Sequence, residues 1–186
     1  GKISGIPTEA GTFTFTIEAA NQAGVDKKEF VLAIEDPGIA ISSANFPDKA
    51  FREYIELMYD KDQNGYLDND EIKFVVDMEL NSLNISSLEG IKYFTELISL
   101  KCSRNNLTAL DTSLNENLQY IHCMENNISE LNITGNEKLL ILNAYANNLS
   151  AVDLTHNSML EILDVSYNRL DELDITKNAA LEELRC

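Results

Sequence analysis

Basic side chains are scarce in this sequence. The 186 residues include 14 Lys and Arg against 31 Asp and Glu, which gives a formal net charge of −17. Acidic residues occur along the whole chain, and no basic stripe is present. Nucleic acids and anionic membranes are bound through Lys and Arg side chains that neutralise their charge. The composition therefore argues against both partners, and it suits solubility and cation binding.

Long apolar runs are missing too. No stretch approaches the roughly 20 consecutive apolar residues that a membrane-spanning helix needs, so we predict no membrane insertion. No signal peptide is recognisable after Gly1, and the sequence stops at Cys186, part-way through a repeat unit. We therefore expect a fragment of a longer protein, with any signal and anchor outside this chain.

Residues that commonly carry catalysis are few. The chain has 3 cysteines and 2 histidines, and it contains no G-x-S-x-G, H-E-x-x-H or glycine-rich phosphate motif. His122 and Cys123 are neighbours on a predicted strand, so they point to opposite faces and cannot form a dyad. An odd number of cysteines does not make a disulfide framework. We therefore predict that the chain is not an enzyme.

The segment 97–186 repeats with a period of 21 residues. The repeats read LISLKCSRNNLTALDTSLNEN, LQYIHCMENNISELNITGNEK, LLILNAYANNLSAVDLTHNSM and LEILDVSYNRLDELDITKNAA, followed by the stub LEELRC. They share the pattern L-x-x-L-x-[CAV]-x-x-N-x-[LI]-x-x-[LV], which resembles the leucine-rich repeat. One unit cannot bury its own apolar face, so consecutive units must stack. The resemblance implies an α/β solenoid with a curved parallel sheet.

Polar and small residues also recur in columns. Asparagine fills two of them, namely Asn105, Asn126, Asn147 and Asn168, and Asn115, Asn136, Asn157 and Asn178. Because carboxamides both donate and accept hydrogen bonds, we predict that they satisfy backbone groups at the turns. A third column contains Cys102, Cys123 and Cys186, with Ala144 and Val165 between them. Cysteine there behaves as a small hydrophobe, so we predict that Cys102 and Cys123 are buried and reduced.

An acidic loop precedes the repeats. Residues 60–71 follow the pattern D-x-[DN]-x-[DN]-G-x5-E and resemble the calcium loop of EF-hand proteins. The resemblance implies a structural Ca²⁺ bound by Asp60, Asp62, Asn64, the Tyr66 carbonyl, Asp68 through water, and Glu71. Helices are predicted over 47–59 and about 69–76. Because only one such loop is visible, we interpret residues 45–80 as a helix–loop–helix cap clipped by calcium, and residues 75–96 as a degenerate first coil.

The first 36 residues have strand character. Phe13, Phe15 and Ile17 alternate on one face, a second alternating run covers 30–34, and turn-forming residues 21–26 lie between them, which predicts a hairpin. The segment 1–36 resembles the second half of immunoglobulin-like repeats in bacterial surface proteins, and 37–44 is interpreted as a linker. A lone hairpin is marginal in water, so we expect a monomer or a weak contact through this hairpin.

The order of motifs points to a family. Phe46-Pro47-Asp48-x-x-Phe51-Arg52, the acidic loop and the 21-residue repeats together resemble secreted or cell-surface leucine-rich repeat proteins of bacteria. The resemblance covers residues 45–186 and implies a non-catalytic binding or adhesion module. A structural spacer of a larger surface protein and an accessory domain of a secreted enzyme remain the alternatives.

A candidate ligand face can also be derived. Solenoids commonly bind along the concave sheet, where the strand positions that face outwards bring together Tyr120, His122, Met124, Ile141, Tyr145, Ile162 and Tyr167. Tyrosine and methionine are enriched at recognition surfaces, and exposed apolar clusters mark binding sites. We therefore predict that this group binds a protein or a glycan.

Overall fold

The chain divides into two compact units, Gly1–Gly38 and Ile39–Cys186. The structure is a computed structural model that describes residues 10–34 and 36–186. Residues 1–9, where the predicted immunoglobulin-like segment begins, and Glu35 lie outside the described residues.

The first unit contains a long antiparallel hairpin of β1 (Gly11–Asn21) and β2 (Gly24–Ile34). The alternation of apolar residues places Phe15 opposite Phe30, and their rings stack with centroids 5.7 Å apart. Most of its side chains are exposed. The described residues of this unit include no further strand, so its immunoglobulin-like character stays a prediction.

The second unit opens with a small helix-containing segment, which is called the cap here for its position. Its elements are β3 (Ile39–Ala40), α1 (Lys49–Met58), β4 (Tyr66–Leu67) and α2 (Asn69–Ile72). Asp48 caps α1, because its carboxylate accepts a hydrogen bond from the Phe51 N–H at 3.0 Å. Helical spacing puts Phe51 and Ile55 on one face, and both are fully buried. Phe46 packs edge-on between Phe51 and Tyr93, with ring centroids 5.9 and 5.7 Å apart, which joins the cap to the first coil.

The second helix is shorter than the sequence predicts. The EF-hand resemblance implies a helix over about 69–76, but α2 is a single turn that ends at Ile72. The Val75 N–H closes a turn on the Ile72 carbonyl at 3.0 Å, and the Val76 carbonyl accepts a hydrogen bond from the Ile98 N–H at 2.8 Å. Pairing with the next coil therefore engages residues at the end of the segment that the resemblance assigns to the helix.

The rest of the unit is a solenoid. Its strands are β5 (Asp77–Glu79), β6 (Ser99–Lys101), β7 (Ala109–Asp111), β8 (Tyr120–His122), β9 (Glu130–Asn132), β10 (Ile141–Asn143), β11 (Ile162–Asp164) and β12 (Glu183–Arg185), with a 3₁₀ helix at Ile91–Tyr93. Over the described part of the chain, six strands form one parallel sheet in the order β5-β6-β8-β10-β11-β12, while β7 and β9 pair separately. The predicted parallel solenoid is confirmed.

The leucine columns form the core. The fully buried positions include Leu97, Leu118, Leu139 and Leu160, and Leu100, Ile121, Leu142 and Leu163. Each coil buries these side chains against its neighbours, because a single coil has no second layer of its own.

The first asparagine column ties successive coils together. Asn126 donates through Nδ2 to the carbonyls of Cys102 and Cys123 at 3.0 and 3.1 Å. Its Oδ1 accepts a hydrogen bond from the Leu107 N–H at 3.0 Å. Asn105 makes the same kind of bonds one coil earlier. The side chains therefore satisfy backbone groups at the turn that follows each strand, as their spacing predicts.

Candidate functional site

Parallel pairing aligns the outward side chains of the main sheet in rows. The register places Tyr120 beside Ile141, and Ile141 beside Ile162. Ile121, between Tyr120 and His122, is fully buried, whereas its two neighbours are half-buried. The outward sides of β8, β10 and β11 thus share one face of the sheet.

The aromatic patch is the group of seven side chains that the sequence singles out on this face: Tyr120, His122, Met124, Ile141, Tyr145, Ile162 and Tyr167. Six of them are half-buried, and Tyr167 is 78% exposed. The Tyr145 and Tyr167 rings contact each other, with centroids 5.1 Å apart and planes tilted by 56°. The solenoid brings residues from three successive coils into one apolar surface.

A row of left-handed residues runs beside the patch. One non-glycine residue with positive φ occurs in each repeat, at Arg104, Glu125, Ala146 and Tyr167. This conformation is uncommon outside glycine, and here it marks the turn that leaves each strand. The sequence does not predict this left-handed conformation, because four different residue types fill the position.

Charged residues flank the patch and are paired with one another. Lys101 Nζ lies 3.1 Å from Glu79 Oε2 and 4.0 Å from Asp77 Oδ2. The hydrogen bond to Glu79 and the charge of Asp77 raise the pKa of Lys101, which remains a cation. On the other side, Arg185 Nη1 lies 3.7 Å from Asp164 Oδ2. The centre of the face is therefore uncharged, and the cations beside it already have acidic partners.

The two histidines do not form a catalytic arrangement with a cysteine. Burial lowers the pKa of His122 below its ordinary value, and the nearby Lys101 cation lowers it further, while Glu79 acts in the opposite direction. Cys123 is fully buried while His122 lies on the outward face. His156 lies in an exposed turn beside Thr155.

The acidic loop gathers three of its predicted ligands. Carboxylate oxygens of Asp60, Asp62 and Glu71 all lie within 4.8 Å of one another. Asp60 and Glu71 are buried, whereas Asp62 is exposed. Clustering of like charges is unfavourable without a compensating cation. Hard oxygen donors at this separation match the chemistry of a Ca²⁺ site.

Backbone N–H groups fold the loop around these acids. The N–H groups of Asn64 and Gly65 donate to the two Asp60 carboxylate oxygens at 3.1 and 3.0 Å. Gly65 has φ +81°, which only glycine adopts readily. The Glu71 carboxylate accepts from the Lys61 N–H at 2.7 Å and from the Asp68 N–H at 3.1 Å. The first and last residues of the loop are thereby held together.

One contact of the loop, its pairing with β3, is not predicted by the sequence. Residues 37–44 read as a linker, but Ile39 and Ala40 form β3 and pair antiparallel with Leu67 and Tyr66 of β4. The Ile41 N–H also donates to the Gly65 carbonyl at 2.9 Å. The apolar pair Ile39 and Ile41 around Ala40 was the available signal, but it is too short to predict a strand.

The cysteine column lies inside the solenoid. Cys102 and Cys123 are free and fully buried, and Cys186 is exposed. Burial raises the pKa of Cys123 to about 12. It also raises the pKa of Cys102, with an additional contribution from the neighbouring Cys123. Ala144 and Val165 continue the column as buried side chains.

No helix among the described residues has the length and apolar character needed to cross a membrane.

Comparison with known proteins supports the fold. No protein-family model matches the sequence, and no curated protein matches it. Among solved structures, the functional domain of InlJ from Listeria monocytogenes is similar, with a TM-score of 0.72 and 29% sequence identity over 81% of this chain. The match covers 34% of that protein, so this chain spans about a third of its length. The second unit therefore has the fold of a leucine-rich repeat solenoid, similar to that of this bacterial domain.

The InlJ domain is described as including a cysteine ladder. In the leucine-rich repeat unit of this chain, cysteine occupies one buried column in two successive coils, and small apolar residues fill it in the next two. The column is therefore a packing position that accepts cysteine.

Proposed function

We propose that this chain is a non-catalytic binding module of a secreted or cell-surface bacterial protein, and that its leucine-rich repeat sheet binds a protein partner through the aromatic patch. The observation that carries the proposal is the uncharged, partly exposed patch between two groups of internally paired charges. Interfaces commonly combine such an apolar centre with a polar rim that excludes water.

The surrounding polar groups favour a protein over a glycan. Asn143 Oδ1 accepts from the Tyr145 N–H at 3.2 Å, and Asp164 Oδ1 accepts from the Ser166 N–H at 3.1 Å. Ser103 Oγ donates to the His122 carbonyl at 3.2 Å. A sugar needs free donors and acceptors for its hydroxyl groups, and these bonds already occupy part of the hydrogen-bonding capacity around the patch. Apolar side chains from a protein partner require no such groups.

We also propose that residues 60–71 bind one structural Ca²⁺. The donor set fits, because Asp60, Asp62 and Glu71 converge and Asn64, the Tyr66 carbonyl and Asp68 complete the oxygen ligands implied by the motif. The ion would neutralise the clustered acids and stabilise the cap that covers the first coil.

The partner class can be tested with two arrays, one of cell-surface ectodomains and one of glycans. We expect binding to at least one protein ectodomain and none to glycans. Glycan binding alone contradicts the proposed partner class, and no binding to either array favours the spacer alternative.

The site can be tested with the double substitution Tyr120→Ala and Tyr145→Ala. Removing both rings takes away the centre of the patch, so the partner found on the array should bind at least about 30-fold more weakly, or about 2 kcal/mol. Leu114→Ala with Met159→Ala is the matched control, because these side chains are 60% and 50% exposed outside the patch. Equal loss in both variants, measured by calorimetry on folded protein, would show that the patch is not the site.

A further inference from the structure

The boundary between the two units lies directly beside the acidic loop. The second unit begins at Ile39, which is the first residue of β3. The partner of β3 is β4, and β4 lies inside the loop, between the predicted ligands Asn64 and Asp68. The loop and the first residues of the leucine-rich repeat unit therefore share one small sheet.

Among the described residues, few backbone hydrogen bonds hold β3 in place. Its ladder has two residue pairs, extended by the hydrogen bond from the Ile41 N–H to the Gly65 carbonyl at 2.9 Å. On the other side, Asn45 Nδ2 donates to the Ala40 carbonyl at 2.9 Å. Ile39 and Ile41 pack against the edge of the hydrophobic core but are only half-buried. Short strands with little buried area belong to the least stable parts of a fold.

The position of β4 depends on the acidic side chains of the loop, whose negative charges repel one another. Gly65 and Tyr66 donate their N–H groups to Asp60 and Asn64 at 3.0 and 2.7 Å, so the position of β4 follows the position of the ligands. Repulsion among Asp60, Asp62 and Glu71 favours opening of the loop, and a bound cation removes that repulsion.

We propose that a divalent cation in the loop locks β3 onto β4 by stabilising their pairing. Calcium therefore determines at which residue, near the unit boundary, the folded part of the leucine-rich repeat unit begins. This inference rests on the proposed calcium site and adds a regulatory consequence to it. With calcium bound, the fastened part of the chain begins at Ile39. When the loop opens without calcium, β3 loses its partner and the free connection lengthens towards Asn45.

Linkage gives the size of the effect. If opening of β3 requires opening of the loop, and only the closed loop binds calcium, the open population falls by the factor one plus the ratio of calcium to its dissociation constant. At calcium about 10 times the dissociation constant, opening is suppressed roughly 10-fold. Coupling is reciprocal, so a firmly attached β3 must also strengthen calcium binding.

The test is amide hydrogen exchange of the full chain with and without calcium, alongside calorimetric titration of calcium. We expect exchange of the Ile41 N–H to slow roughly 10-fold at calcium about 10 times the measured dissociation constant. Amides in the middle of the solenoid, such as that of Cys123, should not change. Sodium chloride at equal ionic strength is the salt control.

Two matched variants separate the loss of a calcium ligand from the loss of a negative charge elsewhere in the loop. Glu71→Gln removes a ligand charge, while Asp70→Asn removes an exposed acid that is paired with Lys73 and is not a member of the carboxylate cluster. Calcium should protect Ile41 in Asp70→Asn and not in Glu71→Gln. Ile41→Pro removes the N–H that bonds to Gly65 and should weaken calcium binding in the folded protein.

The outcomes distinguish the two proposals. Calcium binding with protection of Ile41 supports the lock. Calcium binding without that protection overturns the lock and leaves the calcium site standing. If calcium does not bind at all, both the site and the lock are wrong, while the proposal for the aromatic patch is untouched.

Discussion

Two asparagine columns that look alike in the sequence have different hydrogen bonding. In the first column, Asn105 and Asn126 use both ends of the carboxamide. In the second, Asn115 donates to the carbonyls of Ile91 and Phe94 at 3.0 and 2.9 Å, but its buried Oδ1 has no protein donor among the described residues. The second column therefore stabilises the turns through its donors.

Asn136 differs from its column because Thr112 Oγ1 donates to its Oδ1 at 2.7 Å. Residues of the other repeats at the Thr112 position are Ile133, Leu154 and Ile175. None of these side chains has a hydroxyl, which fits the finding that the buried Oδ1 atoms of Asn157 and Asn178 have no donor among the described residues.

We predict that Thr112→Val destabilises the protein. Valine keeps the shape of the buried side chain but leaves Asn136 Oδ1 without its donor, at a cost of about 1–3 kcal/mol. Chemical denaturation measures the free energy of unfolding. Thr95→Val is the control, because Thr95 is exposed. If Thr112→Val and Thr95→Val lowered the free energy of unfolding by the same small amount, the buried hydroxyl would not contribute to stability.

At the scale of elements, stacking of coils controls the chemistry of the cysteine column. Cys102 and Cys123 lie in successive coils and are sealed from solvent. The thiolate is the reactive form of cysteine, and burial raises the pKa of both thiols. Both residues are therefore protonated at neutral pH.

We predict that a maleimide reagent labels Cys186 quickly in the native chain and leaves the two buried thiols unlabelled from pH 7 to 9. Since a raised pKa keeps the thiol form through this range, added base should not activate them. Mass spectrometry of labelled peptides gives the measurement. Cys186→Ser should abolish native labelling, and denatured protein should label at every cysteine. Rapid native labelling of Cys102 would contradict the buried column.

Close approach of coils also selects one residue that the repeat pattern does not. Position 135 is glycine, although Leu114, His156 and Lys177 occupy it in the other repeats. A Cβ on Gly135 would lie 1.8 Å from the Ser113 carbonyl oxygen of the preceding coil. The repeat therefore tolerates large residues at this position except where the two backbones meet.

For the whole molecule, the dominant electrostatic fact is the net charge of −17. Self-repulsion of this size destabilises a compact state, and a bound cation offsets part of it. The acidic loop brings three acidic side chains close together. It belongs to the segment that packs through Phe46 onto Tyr93 of the first coil.

We predict that calcium stabilises the leucine-rich repeat unit. A dissociation constant on the order of 10⁻⁴–10⁻³ M is expected for an extracellular site. Calcium at about 10 times that value adds about 1.4 kcal/mol to the free energy of unfolding and raises the Tm by roughly 3–6 °C. Differential scanning calorimetry with calcium and with a chelator measures the shift.

Glu71→Ala should remove this shift by deleting the bidentate ligand, and Asp70→Asn should retain it. An unchanged Tm after chelation would mean that the loop is not a structural clip.

Much of the fold could be predicted from the sequence, because the repeat period shows which residues of successive coils lie side by side although they are far apart in the chain. A period of 21 residues places Tyr120 beside Ile141, and the two-residue alternation of a strand buries Ile121 between Tyr120 and His122. The solenoid, its core columns and the grouping of the aromatic patch follow from these two periods.

The sequence by itself determined the repeat, its buried columns and the twelve positions of the acidic loop, because each is a pattern within a short window. Only the tertiary structure decided that Ile39 and Ala40 pair with the loop, that α2 ends at Ile72, and that Gly135 meets Ser113. These features depend on contacts between segments that the repeat pattern does not specify. Local propensity is weak there, and the partner that satisfies each backbone group is visible only once the chain has folded.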